Sequence, residues 1–143
     1  MLKLTEIASS DSMVDDTLTI AFDLRQKSRF SATTDKDKEV GLFYPRGQIL
    51  RSGIILTGTD NYKVLIKAAN EPVSVMRNND PLKFAKACYH LGNRHISLQI
   101  LNAELRYIKD HVLDHMLEGL GLLVEHEMLP FEPEAGAYHT HDH

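Results

Sequence analysis

The stretch Asp80-Pro81-Leu82-Lys83-Phe84-Ala85-Lys86-Ala87-Cys88-Tyr89-His90-Leu91-Gly92-Asn93-Arg94-His95 decides the fold, because it is the first helix in a chain that opens with strands and turns. Asp80 is suited to cap a helix and Pro81 to stand at its first position. Helical spacing puts Leu82, Ala85, Cys88 and Leu91 on one stripe, and Gly92 predicts the stop. Before it, Val73 to Met76 reads as a short strand. After it, His95 to Leu101 reads as a strand with Ile96, Leu98 and Ile100 on one face. A turn at Asn102 leads to a strand at Glu104 to Ile108. Asp110 then caps a second helix with Val112, Leu113, Met116, Leu117 and Leu120 as its apolar face. Gly119 and Gly121 end it, and Leu122 to Leu129 forms a last strand. The order β-α-β-β-α-β is that of the ferredoxin-like split βαβ fold, and it predicts a domain over residues 71–130.

Outward toward the N-terminus the texture changes. Leu18, Ile20 and Phe22 alternate with Thr19 and Ala21, as in a half-buried strand. Gly41 to Tyr44 runs into the turn residues Pro45-Arg46-Gly47, and Ile54 to Leu56 leads to a turn at Gly58 to Asn61. Tyr62 to Ile66 resumes a strand, and the residues between Arg25 and Lys38 form a polar stretch. Residues 1–70 therefore predict a small β domain, and the fold class is α+β. Pro130 to His143, rich in Pro, Gly and Glu, reads as a tail outside the core, over residues 131–143.

The chain has 143 residues, is 43% hydrophobic and carries a net charge of -4. That balance gives no basic excess for nucleic acid, and no run reaches the ~18 apolar residues of a membrane span. The N-terminus lacks the apolar core of a secretory signal. The single cysteine, Cys88, excludes an internal disulfide and a multi-cysteine zinc site. The expectation is a cytoplasmic protein.

Chemistry concentrates in eight histidines. His139, His141 and His143 stand at i, i+2 and i+4 of the tail, so that an extended segment carries all three on one side. Neutral imidazole suits nickel, copper, zinc and iron, which makes this an arm for metal capture. The plainer alternative is a solvated terminus. His90 and His95 flank the turn at Gly92, where each could equally cap a helix end or satisfy a local hydrogen bond. His111, Asp114, His115 and Glu118 fall on one face of the second helix, either as potential ligands or as an ordinary charged surface. His126 alternates with Val124 and Met128 and reads as a core or interface histidine. Cys88 reads as a buried small hydrophobe. The catalytic signatures HExxH, GxSxG, GxxxxGK[ST] and GxGxxG are absent, and the expectation is a protein that is not an enzyme.

Several ordered blocks carry a family likeness. They are Ala87-Cys88-Tyr89-His90-Leu91-Gly92-Asn93-Arg94-His95, Leu98-Gln99-Ile100, Leu105-Arg106-Tyr107, Asp110-His111-Val112-Leu113-Asp114, Gly119-Leu120-Gly121 and Pro130 to Tyr138. Arg25-Gln26-Lys27-Ser28-Arg29 and Gly41-Leu42-Phe43-Tyr44-Pro45-Arg46-Gly47 join them in the first half. Together these blocks resemble UreE, the urease accessory nickel chaperones, over nearly the whole chain.

The resemblance implies an N-terminal β domain similar to the peptide-binding module of DnaJ-type co-chaperones, and a ferredoxin-like C-terminal domain through which two copies form a homodimer. It implies that His95 supplies one imidazole per subunit to a metal at the dimer interface. His90 and His111 are implied as further metal sites, and His139, His141 and His143 as ligands from the tail. The cargo it implies is Ni(II), with Zn(II) and Cu(II) as competing ions. The implied partners are the GTPase UreG and the complex of urease apoprotein with its accessory proteins, without nucleic acid or membrane. Some members carry a histidine two residues before the position of His111, where this chain has Lys109, so the peripheral site of those members is altered or missing here. The rival reading is a peptide-binding or scaffolding module with incidental histidines, using Arg25, Lys27 and Arg46 as a basic surface.

Overall fold

The computed structural model describes residues 1–136. They form two compact units, Met1–Ala69 and Asn70–Gly136. Among the described residues no helix is long and apolar enough to cross a membrane.

The first unit is one six-stranded sheet. Its strands are β1 (Leu2–Ile7), β2 (Asp16–Ile20), β3 (Arg29–Thr33), β4 (Glu39–Phe43), β5 (Ile55–Gly58) and β6 (Val64–Ala68), with a helical turn, α1 (Phe22–Arg25), and a 3-10 turn at Thr59–Asn61. The order across the sheet is β2-β6-β5-β1-β4-β3. β1 runs parallel to β4 and β2 parallel to β6; the other pairs are antiparallel. Leu4, Leu18, Val40, Leu42, Leu50, Leu56, Val64 and Ile66 fill its core.

Two expectations change here. The strand from Leu18 ends at Ile20, and Phe22 opens α1 instead of continuing it. The polar stretch after Arg25 contains β3, an edge strand on which only Phe30 and Ala32 turn inward. An edge strand needs few apolar residues, and polar ones protect it from pairing with other chains. Asp16 fixes the loop that follows. Its buried carboxylate accepts hydrogen bonds from Thr34 Oγ1 at 2.5 Å and Tyr62 OH at 2.9 Å.

The second unit contains β7 (Asn70–Arg77), α2 (Pro81–Gly92), β8 (Gln99–Leu101), β9 (Glu104–Ile108), α3 (His111–Gly119) and β10 (Val124–Pro130). The sheet order β10-β7-β9-β8, with every neighbouring pair antiparallel, is the ferredoxin-like arrangement that the element order predicts. Asp80 caps α2 by accepting from the Leu82 and Lys83 amides, and Asp110 caps α3 through Val112 and Leu113. α3 stops as its glycines predict. Gly121 adopts a φ of 83°, and the Leu122 amide reaches back to the Leu117 carbonyl at 3.1 Å.

Four details of this unit depart from the sequence reading. The buried stripe of α2 is Phe84, Ala87, Cys88 and Leu91, whereas Leu82 and Ala85 face solvent. Met116 packs beside Leu113 and Leu117 under α3, but Val112 and Leu120 are exposed. The strand expected from His95 is confined to Gln99–Leu101, because Asn93, Arg94 and His95 form turns that hydrogen-bond back into α2. Finally, the segment after β10 is not a loose tail from its first residue. Phe131 is fully buried, the Glu132 amide donates to Gln99 Oε1 at 3.0 Å, and the Glu134 amide donates to the Leu98 carbonyl at 2.9 Å.

Candidate metal centre

The turn that ends α2 shapes the candidate site. Gly92 is the last helical residue and Asn93 the cap; neither takes the left-handed conformation expected of a terminating glycine. That conformation falls on His95, with a φ of 58°. A side chain in the left-handed region costs roughly 1–2 kcal/mol unless the residue is glycine or, to a lesser degree, asparagine. The turn is closed by the Arg94 amide to the Leu91 carbonyl at 3.0 Å and the His95 amide to the Gly92 carbonyl at 3.1 Å. His95 is exposed at the end of this rigid corner. Asp37, Asp60, Asn61 and Ala103 share a positive φ, so what sets His95 apart is an exposed imidazole on a turn tied back into α2.

His90 sits in the last turn of α2, half-buried, with its ring edge-on to Tyr89 at 5.3 Å between centroids. Cys88 is half-buried on the packed stripe, and burial raises its thiol pKa, so it behaves as a small core side chain. His111 is exposed at the first position of α3, one turn before His115. His139, His141 and His143 lie outside the described residues. Before them, the Glu134 amide donates to the carbonyl of Leu98, three residues along the chain from His95.

Asp114 does not belong to the outer face of α3. It is buried, accepting from Tyr107 OH at 2.6 Å and meeting His126 Nε2 at 2.7 Å. Ser74, Tyr107 and His126 are cross-strand neighbours on β7, β9 and β10, so the sheet presents them in a row beneath this carboxylate. Burial alone would raise the Asp114 pKa, but the polar groups of Ser74, Tyr107 and His126 outweigh it and hold the carboxyl below its ordinary value. Burial and the bond to Asp114 push the Tyr107 phenol far above its usual range. His126 is therefore neither core nor free surface. It is a half-exposed histidine bound to a carboxylate, and alternation along β10 could not reveal that partner.

Among the described residues no three His, Cys, Asp or Glu side chains stand close enough to hold a metal ion. The histidines of the sequence reading are thus spread over separate positions: His95 on its corner, His90 inside α2 and His111 on α3. A borderline-soft cation suits an exposed imidazole such as His95, but a single imidazole is too few to retain it.

In the first unit, Thr5, Ser28, Arg29, Phe43, Tyr44, Pro45 and Arg46 line an open groove of about 430 Å³. The Arg29 guanidinium lies 5.1 Å from the Phe43 ring centroid. Arg25, expected on the basic surface, is instead fully buried and donates to the Ile20 and Leu50 carbonyls.

Comparison with known proteins bears on the whole length. Residues 3–69 match the family model of the UreE urease accessory protein, N-terminal domain, and residues 71–143 that of its C-terminal domain. The urease accessory protein UreE of Alkalilimnicola ehrlichii is 54% identical over 138 residues, covering 96% of this chain and 85% of that protein. Its counterpart from Citrobacter koseri is 52% identical over 144 residues, covering 100% and 95%. That from Escherichia coli O157:H7 is 49% identical over 150 residues, covering 100% and 96%.

Proposed function

This chain belongs to the UreE family of urease accessory proteins, and from that membership we propose that it carries Ni(II) to urease while the enzyme's metal centre is assembled. Membership itself supports a role in urease maturation, as an accessory protein and not as the hydrolase. The observation that supports the nickel reading is His95, an exposed imidazole held on a hydrogen-bonded corner after α2.

One such histidine per chain does not retain a divalent ion. Two copies related by a two-fold axis bring two together, since an isologous interface repeats each contact. His139, His141 and His143 would complete the shell. His90 and His111 are secondary positions. A site shared between subunits and finished by arms is open and exchangeable, as delivery requires. Copper outranks nickel in intrinsic affinity, so the choice of ion must rest on supply and on the receiving partners. Those partners are the GTPase UreG and the urease apoprotein complex in the cytoplasm.

Nickel titration of the purified protein, with its oligomeric state measured alongside, tests this. The expected result is one tight ion per dimer, lost in His95→Asn while the dimer persists. Tight binding unchanged in that variant would overturn the assignment. A second reading draws on the groove with Arg29 and Arg46, which suits a carboxylate-bearing peptide. It predicts peptide binding that is indifferent to His95→Asn and weakened by Arg46→Ala.

A further inference from the structure

The helices α2 and α3 cover one face of the second sheet, the face that carries Met76, Leu105 and Tyr107. Side chains alternate along a strand, so Val73, Val75 and Arg106 stand on the opposite face. Gln99 joins them there as the cross-strand partner of Arg106. Val73 and Val75 are nevertheless only 0% and 1% exposed. Across this face runs the chain that follows β10. Arg106 Nη1 donates to the Pro130 carbonyl at 3.5 Å, and the Glu132 amide donates to Gln99 Oε1 at 3.0 Å. Phe131 lies between those two bonds and is fully buried, and Pro133 is buried after it. The Glu134 amide then reaches the Leu98 carbonyl at 2.9 Å. Residues 130–134 thus leave the edge strand β10, pass over β7 and β9, and end beside β8 at the other edge.

We propose that residues 130–134 are a positioning strap, anchored by Phe131, that carries the start of the histidine-bearing segment from β10 to the Leu98 side of the sheet. The proposal rests on the reading of His139, His141 and His143 as ligands that complete the shared site. Leu98 is three residues from His95, so their Cα atoms are at most about 11 Å apart. With Glu134 held, His139 comes five residues after the last anchor; with the strap released, it comes nine residues after Pro130. That lengthening alone dilutes a tethered ligand roughly two- to threefold. Shifting its origin by three strand spacings of ~4.8 Å dilutes it further. Phe131 supplies no ligand and acts only through where the tethered histidines begin.

Nickel titration of the full-length chain by calorimetry is the test, with oligomeric state and circular dichroism followed in each variant. Phe131→Ala should lower nickel affinity about threefold or more. Phe131→Leu should restore most of it, and Gln99→Ala should fall between. In a chain that already carries His139→Ala, His141→Ala and His143→Ala, adding Phe131→Ala should change the affinity by less than about 1.5-fold, since no tethered ligand is left to position. Should Phe131→Ala not fold, the parent answers the same question. By linkage, nickel should slow hydrogen exchange at its Glu132 and Glu134 amides, and should not do so once the three histidines are alanine. If those histidines matter but a folded Phe131→Ala binds nickel like the parent, the strap is overturned and the shared site stands. Equal losses with and without them also overturn it, because they mark an effect on the fold. If replacing the three histidines costs no affinity, the strap falls together with their place in the shared site.

Discussion

Asp114 Oδ2 and His126 Nε2 stand 2.7 Å apart, joining the buried side of α3 to the edge strand β10. With Tyr107 OH on the other carboxylate oxygen at 2.6 Å, this carboxylate ties the helix to two strands of its sheet.

That tie makes the second unit acid-sensitive. The folded-state pKa of Asp114 lies below its ordinary value, so its contribution is fully present above the unfolded carboxylate pKa of about 4 and is lost as pH falls through the folded value. Protection from hydrogen exchange, relative to the unfolded chain at the same pH, should fall at the amides of α3 and β10 as the solution is acidified below about pH 4. Asp114→Asn should flatten that dependence and cost roughly 1–3 kcal/mol at neutral pH, because one of the two acceptor oxygens that meet Tyr107 and His126 becomes a donor amide.

Backbone conformation should govern how His95 responds to substitution. At a φ of 58°, His95→Gly and His95→Asn keep the corner, and thermal melts should move by no more than about 1 kcal/mol in either direction. His95→Val, β-branched and ill-suited to that conformation, should cost more than about 1 kcal/mol. Large destabilisation by His95→Gly would refute a strained corner.

The two stripes of α2 should separate cleanly. Leu91 is fully buried, and Leu91→Ala should lose about 2–5 kcal/mol through the cavity it leaves. Leu82 is 63% exposed, and Leu82→Ala should fall within about 0.5 kcal/mol of the parent in denaturant titration.

In the first unit Gly58 faces Leu4 across β1 and β5, and a Cβ there would lie 1.9 Å from the Lys3 carbonyl oxygen. No rotation of a side chain relieves that contact. Gly58→Ala should therefore unfold or displace β1, seen as loss of protection at the Leu4 amide, while the α3 and β10 amides keep theirs.

Local chemistry determined a good part of this protein from the sequence alone. Asp80 with Pro81, Asp110, and Gly121 mark helix ends through bonds made within a few residues, so their reading survives intact. The βαββαβ order follows from those ends, and the sheet order follows from the βαββαβ order. The exposed histidines at 95 and 111 were visible as residue types in a pattern.

What depended on distant parts of the chain needed the tertiary structure. The apolar residues of α2 lie on two adjacent stripes, and only the sheet beneath it selects Phe84 and Ala87 over Leu82 and Ala85. β3 was hidden because an edge strand gains its order from β4 and not from its own apolar residues. Asp114 and His126 are twelve residues apart in sequence; periodicity put the first on an outer face and the second in a core or interface, and their pairing exists only where the helix and the edge strand meet. Phe131 became an anchor only where the chain returned to Leu98 and Gln99. Short-range hydrogen bonding is written into neighbouring residues, whereas burial and charge pairing exist only once separate elements share a surface.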